Sequence, residues 1–121
     1  MLYIMKTLLI VDDSAIMRRI MKNVATANDY NVVGEAKNGK IGVEKYKELR
    51  PDIVTMDVTM DEMNGIEALR RIREYDPDAN VIMVTSMGQE IIVKEAIMLG
   101  ARGFILKPFD AMQIMEAFGK I

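Results

Sequence analysis

Five short apolar runs recur along the chain, and each gives way to a polar break and then to a stretch whose apolar positions return every three or four residues. The runs occupy 6–11, 31–36, 51–57, 80–84 and 103–106. Their continuous rather than alternating character predicts strands of a parallel sheet covered on both faces. The most sharply bounded is Pro51-Asp52-Ile53-Val54-Thr55-Met56-Asp57, which stops at an acid. It is the predicted central strand, and Asp57 stands at its carboxyl end, where open α/β sheets gather their functional groups.

The intervening stretches predict helices. Asp12, Asp13 and Ser14 open the first, which turns Met17, Ile20, Met21 and Val24 inward and lines its other face with Arg18, Arg19 and Lys22 until Asn28-Asp29 breaks it. A second helix over 40–49 follows Asn38-Gly39, with Ile41, Val43, Tyr46 and Leu49 inward. Gly65 opens a third through Ile66, Leu69 and Ile72, which stops before Pro77. A fourth runs over 88–99 with Gly100 as its cap, and Asp110 caps a fifth through Ala111, Ile114, Phe118 and Ile121. Five strands alternating with five helices predict an α/β fold, a doubly wound (βα)5 flavodoxin-like sheet with helices on both faces. Without repeats, linkers or low-complexity segments, residues 1–121 are expected to form one domain.

Composition then removes whole classes of chemistry. The chain has no cysteine and no histidine, which excludes thiolate chemistry, histidine triads and histidine-ligated metals and leaves only hard oxygen ligands. A net charge of -2 with scattered basic residues offers no footprint for nucleic acid. The apolar opening residues are too few to span a bilayer and lead into Asp12-Asp13 where a cleavable leader needs small residues, so a cytoplasmic protein with no membrane insertion is expected.

Strand one ends at Asp12-Asp13, strand three at Asp57, strand four at Thr85-Ser86 and strand five at Lys107. A strand order of 2-1-3-4-5 would make those ends neighbours in one crevice. Three carboxylates repel one another, and with a single ammonium they leave a surplus of two negative charges that one divalent cation would cancel. Oxygen ligands alone favour Mg²⁺, with Mn²⁺ able to substitute. A carboxylate beside Mg²⁺ and a lysine suits phosphoryl transfer, in which Asp57 attacks phosphorus, Lys107 offsets charge on the phosphoryl oxygens and Thr85 hydrogen-bonds one of them.

At these residues the chain resembles the receiver domains of two-component response regulators. Asp12-Asp13, Asp57, Thr85 and Lys107-Pro108-Phe109 match that pattern in order and spacing over essentially the whole chain. The segments around Gly34-Glu35-Ala36, Asn38-Gly39, Met56 to Met60, Met63-Asn64-Gly65 and Ser86 to Gln89 are most similar to the stand-alone chemotaxis regulators of the CheY type. The resemblance implies that Asp57 accepts a phosphoryl group from a chemotaxis histidine kinase. It also implies that Asp12, Asp13, Asp57 and the carbonyl of Thr59 bind Mg²⁺, Asp12 directly or through water, and that Thr85 and Phe104 form a switch. Its Lys-Pro bond is cis, which places the expectation at Lys107-Pro108. Two departures stand out: Asp61 occupies a position where the family usually has proline, and Phe104 keeps the ring of the enteric tyrosine without its hydroxyl.

Two other readings compete. A haloacid-dehalogenase-type phosphohydrolase uses an aspartate nucleophile on a similar sheet, but its general-acid aspartate, two residues on, is here Thr59. A flavodoxin-like flavin carrier needs a neutral, hydroxyl-rich loop after strand one, where Asp12-Asp13 would repel its phosphate.

A receiver with no output domain signals by docking, so a monomer is expected to meet a flagellar motor switch protein or an archaeal motor adaptor, and a phosphatase. Ile91, Lys94 and Met98 on the fourth helix and Met112 and Met115 on the fifth form the predicted partner face, with Val93, Ala96, Ile97 and Gly100 turned to the sheet.

Overall fold

The computed structural model describes residues 4–86 and 89–121. Its elements alternate as β1 (Thr7–Val11), α1 (Ala15–Ala27), β2 (Asn31–Ala36), α2 (Gly39–Leu49), β3 (Ile53–Asp57), α3 (Gly65–Tyr75), β4 (Val81–Ser86), α4 (Glu90–Met98), β5 (Gly103–Lys107) and α5 (Ala111–Gly119). All pairings are parallel and the order is β2-β1-β3-β4-β5. The expected doubly wound fold is therefore present.

Successive strand residues point to opposite faces, so each apolar run feeds two cores at once. Leu9, Val11, Val54, Met56, Val81 and Met83 meet Val43 and Tyr46 of α2, Ala68, Leu69 and Ile72 of α3 and Ala96 of α4. On the other face Leu8, Ile10, Ile53, Ile82, Val84 and Ile105 meet Met21 and Ala25 of α1 and Ile114, Ala117 and Phe118 of α5. Tyr30 closes that second core with its ring edge-on to Phe118, centroids 4.9 Å apart.

Short polar side chains start four of the five helices. Ser14, Asn38, Asn64 and Asp110 each accept a hydrogen bond from the backbone N–H three residues on. At α5 the cap is reciprocal, because the Gln113 side chain accepts from the Asp110 N–H at 2.9 Å. After α4 Gly100 adopts φ 93°, as its expected capping role requires, and a Cβ there would stand 2.6 Å from the Arg73 guanidinium. The expected start of α4 at Gly88 lies outside the described residues.

The inward faces differ from expectation at several positions. On α1 the buried line is Met21 and Ala25, with Val24 partly buried, while Ile20 is exposed. Leu49, in the last turn of α2, overhangs Gly34 of the edge strand β2 and stays partly in solvent. On α4 Ile92, Ala96 and Leu99 pack on the sheet side and Ile97 is 56% exposed. On α5 Ala111 is exposed, whereas Met115 is half-buried against the core beneath α1 and α5. On α4 and α5, which carry few polar residues, sequence period alone does not set the rotation, and the partner surface decides it.

Candidate functional site

The sheet register assembles the site. β1 and β3 are adjacent, with Val11 opposite Met56, so the Asp12-Asp13 pair leaves the sheet beside Asp57. Asp57 faces Val84 on β4, and Ser86 faces Lys107 on β5. The Lys107 stem then reaches back across the edge, and its Nζ donates to Asp57 Oδ1 at 3.2 Å and to Asp12 Oδ2 at 3.3 Å. Asp12 Oδ1 accepts from the Ser14 N–H at 2.9 Å, so both of its oxygens are engaged where the chain turns into α1.

Carboxylate oxygens of Asp12, Asp13 and Asp57 come within 4.8 Å of one another, with Asp12 and Asp57 buried and Asp13 exposed. Burial pushes the Asp57 carboxyl up first, the charge of Asp12 adds to it, and Lys107 pulls it only partly back, to about 6. For Lys107 burial works downward, but the charges of Asp57 and Asp12 and the hydrogen bonds to both hold it above its ordinary value. An ion pair should depress its acid and raise its base. Only the base obeys, because Asp57 sits 6% exposed next to a second carboxylate. That surplus of negative charge, carried by hard oxygens close enough to share one ion, fits an oxygen-coordinated divalent cation.

The loop after β3 is bound to its surroundings. The Gly65 N–H donates to Val58 O at 2.9 Å, and the Gly39 and Lys40 N–H groups at the start of α2 donate to Met63 O and Glu62 O at 3.1 and 3.3 Å. Glu62 and Met63 take left-handed conformations, φ 52° and 72°, to present those carbonyls. Thr59 and Asp61 both lie in this loop, exposed. Asp61 is not one of the three clustered acids; it lines a surface depression together with Asp13, Lys37 and Lys40.

Thr85 is buried, and its hydroxyl donates to the Gln89 side-chain oxygen, which also accepts from the Ser86 N–H at 3.0 Å. Gln89 was not expected to touch the switch. The Ser-x-x-Gln spacing from Ser86, which resembles a capping box, is the signal that would have pointed to it. Arg18 also departs from its expected solvent-facing role. It is half-buried and donates to Asp12 O at 2.7 Å and to Glu35 at 3.3 Å, tying α1 and β2 to the backbone that carries the acids. Phe104 is half-buried against the core beneath α2, α3 and α4, and the Lys107-Pro108 bond is cis.

Residues 8–119 match the family model for the response regulator receiver domain. The chain belongs to that family. It is 53% identical to the chemotaxis protein CheY of Thermotoga maritima over 96% of this chain and 97% of that one. It is 42% identical to the CheY of Halobacterium salinarum over 96% of both. The receiver fold superposes with a TM-score of 0.90 and 37% identity on a chain of the CheX-CheY-BeF3-Mg²⁺ complex from Borrelia burgdorferi, covering 93% of this chain and 86% of that one. The response regulator domain of Thermotoga maritima CheB gives a TM-score of 0.85 at 40% identity. This is a receiver domain of the CheY-type chemotaxis response regulators, and these matches favour that reading over a haloacid-dehalogenase-type hydrolase.

Away from the crevice, the receiver's predicted partner face is only partly as expected. Ile91, Met98 and Met112 are 82, 87 and 78% exposed and Lys94 is exposed beside them. Met115 does not join them, since it packs inward. Glu95, which follows Lys94, pairs instead with Arg70 of α3 at 3.7 Å. Among the described residues no helix is long and apolar enough to cross a membrane.

Proposed function

We propose that this receiver is a phosphorylation-switched signalling protein of chemotaxis that takes a phosphoryl group from a histidine kinase onto Asp57. The observation that carries the reading is the Lys107 ammonium held 3.2 Å from Asp57 and 3.3 Å from Asp12, within a three-acid cluster at the carboxyl edge of the sheet. A carboxylate oxygen of Asp57 forms the new bond to phosphorus as the bond between phosphorus and the kinase imidazole breaks, and the ring nitrogen keeps the electron pair and picks up a proton. Lys107 is placed to offset charge on the phosphoryl oxygens, and the Thr85 hydroxyl is one residue from Ser86, which faces Lys107 across β4 and β5. Asp12, Asp13, Asp57 and the Thr59 carbonyl would hold Mg²⁺, which supplies charge neutralisation at the transferring group. Phosphotransfer and later loss of the phosphoryl group are self-catalysed at this site, without turnover of outside substrates.

Incubation with acetyl phosphate and Mg²⁺ should add one phosphoryl mass, labile to hydroxylamine, to an otherwise intact chain. No mass gain under those conditions would defeat the proposal. Mg²⁺ affinity by calorimetry should rise with pH through about 6, because Asp57 must lose its proton before it can serve as a ligand. The Asp13→Ala variant should bind Mg²⁺ about tenfold or more weakly. An unchanged titration would remove Asp13 from the ligand set.

Output follows by docking of this receiver, acting as a cytoplasmic monomer. Exposed Ile91, Met98 and Met112 with Lys94 support a face for a flagellar motor switch protein or an archaeal motor adaptor, and a phosphatase is a further partner. Glutamate at both Ile91 and Met112 should abolish phosphorylation-dependent binding while Asp57 still takes up the phosphoryl group. Retained binding by the double variant would move the output surface elsewhere, with the first helix and its Arg19 and Lys22 next in line.

A further inference from the structure

Thr85 carries the hydroxyl that the proposed reaction needs, yet that hydroxyl is committed to another partner. Its O–H donates to Gln89 Oε1, and the same oxygen accepts the Ser86 N–H at 3.0 Å. Gln89 thereby spans the end of β4 and the residue that precedes α4, holding one side-chain and one backbone donor on a single acceptor. Thr85 is 5% exposed, and apart from Gln89 its O–H has within reach only the Ser86 carbonyl oxygen at a long 3.4 Å, so Gln89 is its principal partner. Against this, Lys107 is already turned toward Asp57 and Asp12. Of the two groups that would meet a phosphoryl oxygen, the ammonium is in place and the hydroxyl is withheld.

We propose that Gln89 is a positioning residue that holds the Thr85 hydroxyl away from Asp57 and so sets how readily the site accepts a phosphoryl group. The inference rests on the reading of Asp57 as phosphoacceptor and deepens it. Binding of a phosphoryl group, or of a mimic with the same oxygen or fluorine acceptors, exchanges the Thr85–Gln89 hydrogen bond for one to the ligand. The Ser86 N–H keeps Gln89 Oε1 in place throughout, so Gln89 acts as a fixed competitor rather than a mobile one. Its chemistry as an acceptor is what matters. A carboxylate at this position would keep the latch, and an aliphatic side chain of similar length would remove it.

The test titrates beryllofluoride and Mg²⁺ into the full chain and follows the bound species by fluorine NMR. Gln89→Leu should bind beryllofluoride about two- to tenfold more tightly than the parent, the range that one net hydrogen bond sets, and Gln89→Ala should do the same. Gln89→Glu, which retains an acceptor for both donors, should bind no more tightly than the parent. In a Thr85→Val background, where there is no hydroxyl to release, Gln89→Leu should change nothing, an outcome that a general effect on folding would not produce. Equal affinity in Gln89→Leu and the parent would overturn the inference, as would the same gain persisting in the Thr85→Val background. A parent chain that takes up neither beryllofluoride nor phosphate at Asp57 would overturn the phosphoacceptor reading itself, and this inference with it.

Discussion

Asp57→Asn is expected to abolish covalent phosphoryl uptake and at the same time to make the protein more stable near neutral pH. The loss of uptake follows because an amide oxygen is a poor nucleophile and the neighbouring acids, Asp12 and Asp13, leave β1 rather than ending the central strand. The gain in stability follows from the environment of Asp57, whose carboxyl is raised from 3.8 to about 6 by burial and by Asp12 against the pull of Lys107. A raised carboxyl favours the native state while protonated. Its contribution is fully present below pH 3.8 and is lost as pH rises through about 6, because the unfolded chain ionises earlier. The shift corresponds to about 3 kcal/mol, of which screening at the open mouth of the crevice leaves about 1–2 kcal/mol. Urea midpoints of parent and Asp57→Asn should therefore be close at pH 4, diverge between pH 4 and 6, and stay separated above. A gap that does not vary with pH would mean that ionisation of Asp57 is not its source. Mg²⁺ should narrow the gap, since the cation stabilises the ionised parent and has one ligand fewer in the variant.

Gly65→Ala should be among the most damaging single-methyl changes in the chain. An added Cβ would lie 2.1 Å from the Asp57 carbonyl oxygen and 2.9 Å from Val58 Cα, and both are backbone atoms that cannot swing aside as a side-chain tip would. The first turn of α3 is pinned there by the Gly65 N–H to Val58 O bond and by the Asn64 cap, so relief requires α3 to move off the end of β3. We expect a loss of about 2–4 kcal/mol, a fall in melting temperature on the order of 10 °C, and slower phosphoryl uptake because Asp57 shares the displaced peptide. Gly119→Ala is the matched control, as nothing lies within 4 Å of the added Cβ, and it should be neutral within about 1 kcal/mol. Similar behaviour of the two variants would show that the tail of β3 yields more than its contacts allow.

Local patterns carried much of this architecture. The apolar runs are strands because only a doubly covered parallel strand is apolar on both sides, and Ser14, Asn38 and Asp110 mark helix starts because their oxygens replace a missing intrahelical acceptor. The chemical types at the strand ends were legible for the same reason: Asp12, Asp13, Asp57 and Lys107 follow directly on runs whose direction the pattern sets. The gathering of these groups depends on register, and register is a property of pairs of strands. Thr85–Gln89 and Arg18–Asp12 likewise depend on side-chain directions that the spacing alone leaves open.

By itself the sequence determined the alternation of elements, the donor types at the crevice and the exclusion of histidine and thiolate chemistry, because propensity, capping and composition act over a few residues at a time. Tertiary structure alone decided which apolar residues of α1, α4 and α5 are buried, why Ile97 faces solvent while Ile92 does not, and why Met115 left the exposed face. It also decided that Asp57 holds its proton to about pH 6, since burial and the charge of Asp12 reach it only after β1, β3 and β5 have been brought to one edge. The physical reason is range: a helix period or a cap is felt within one turn, whereas desolvation, ion pairing and helix rotation are set by atoms that come from distant parts of the chain.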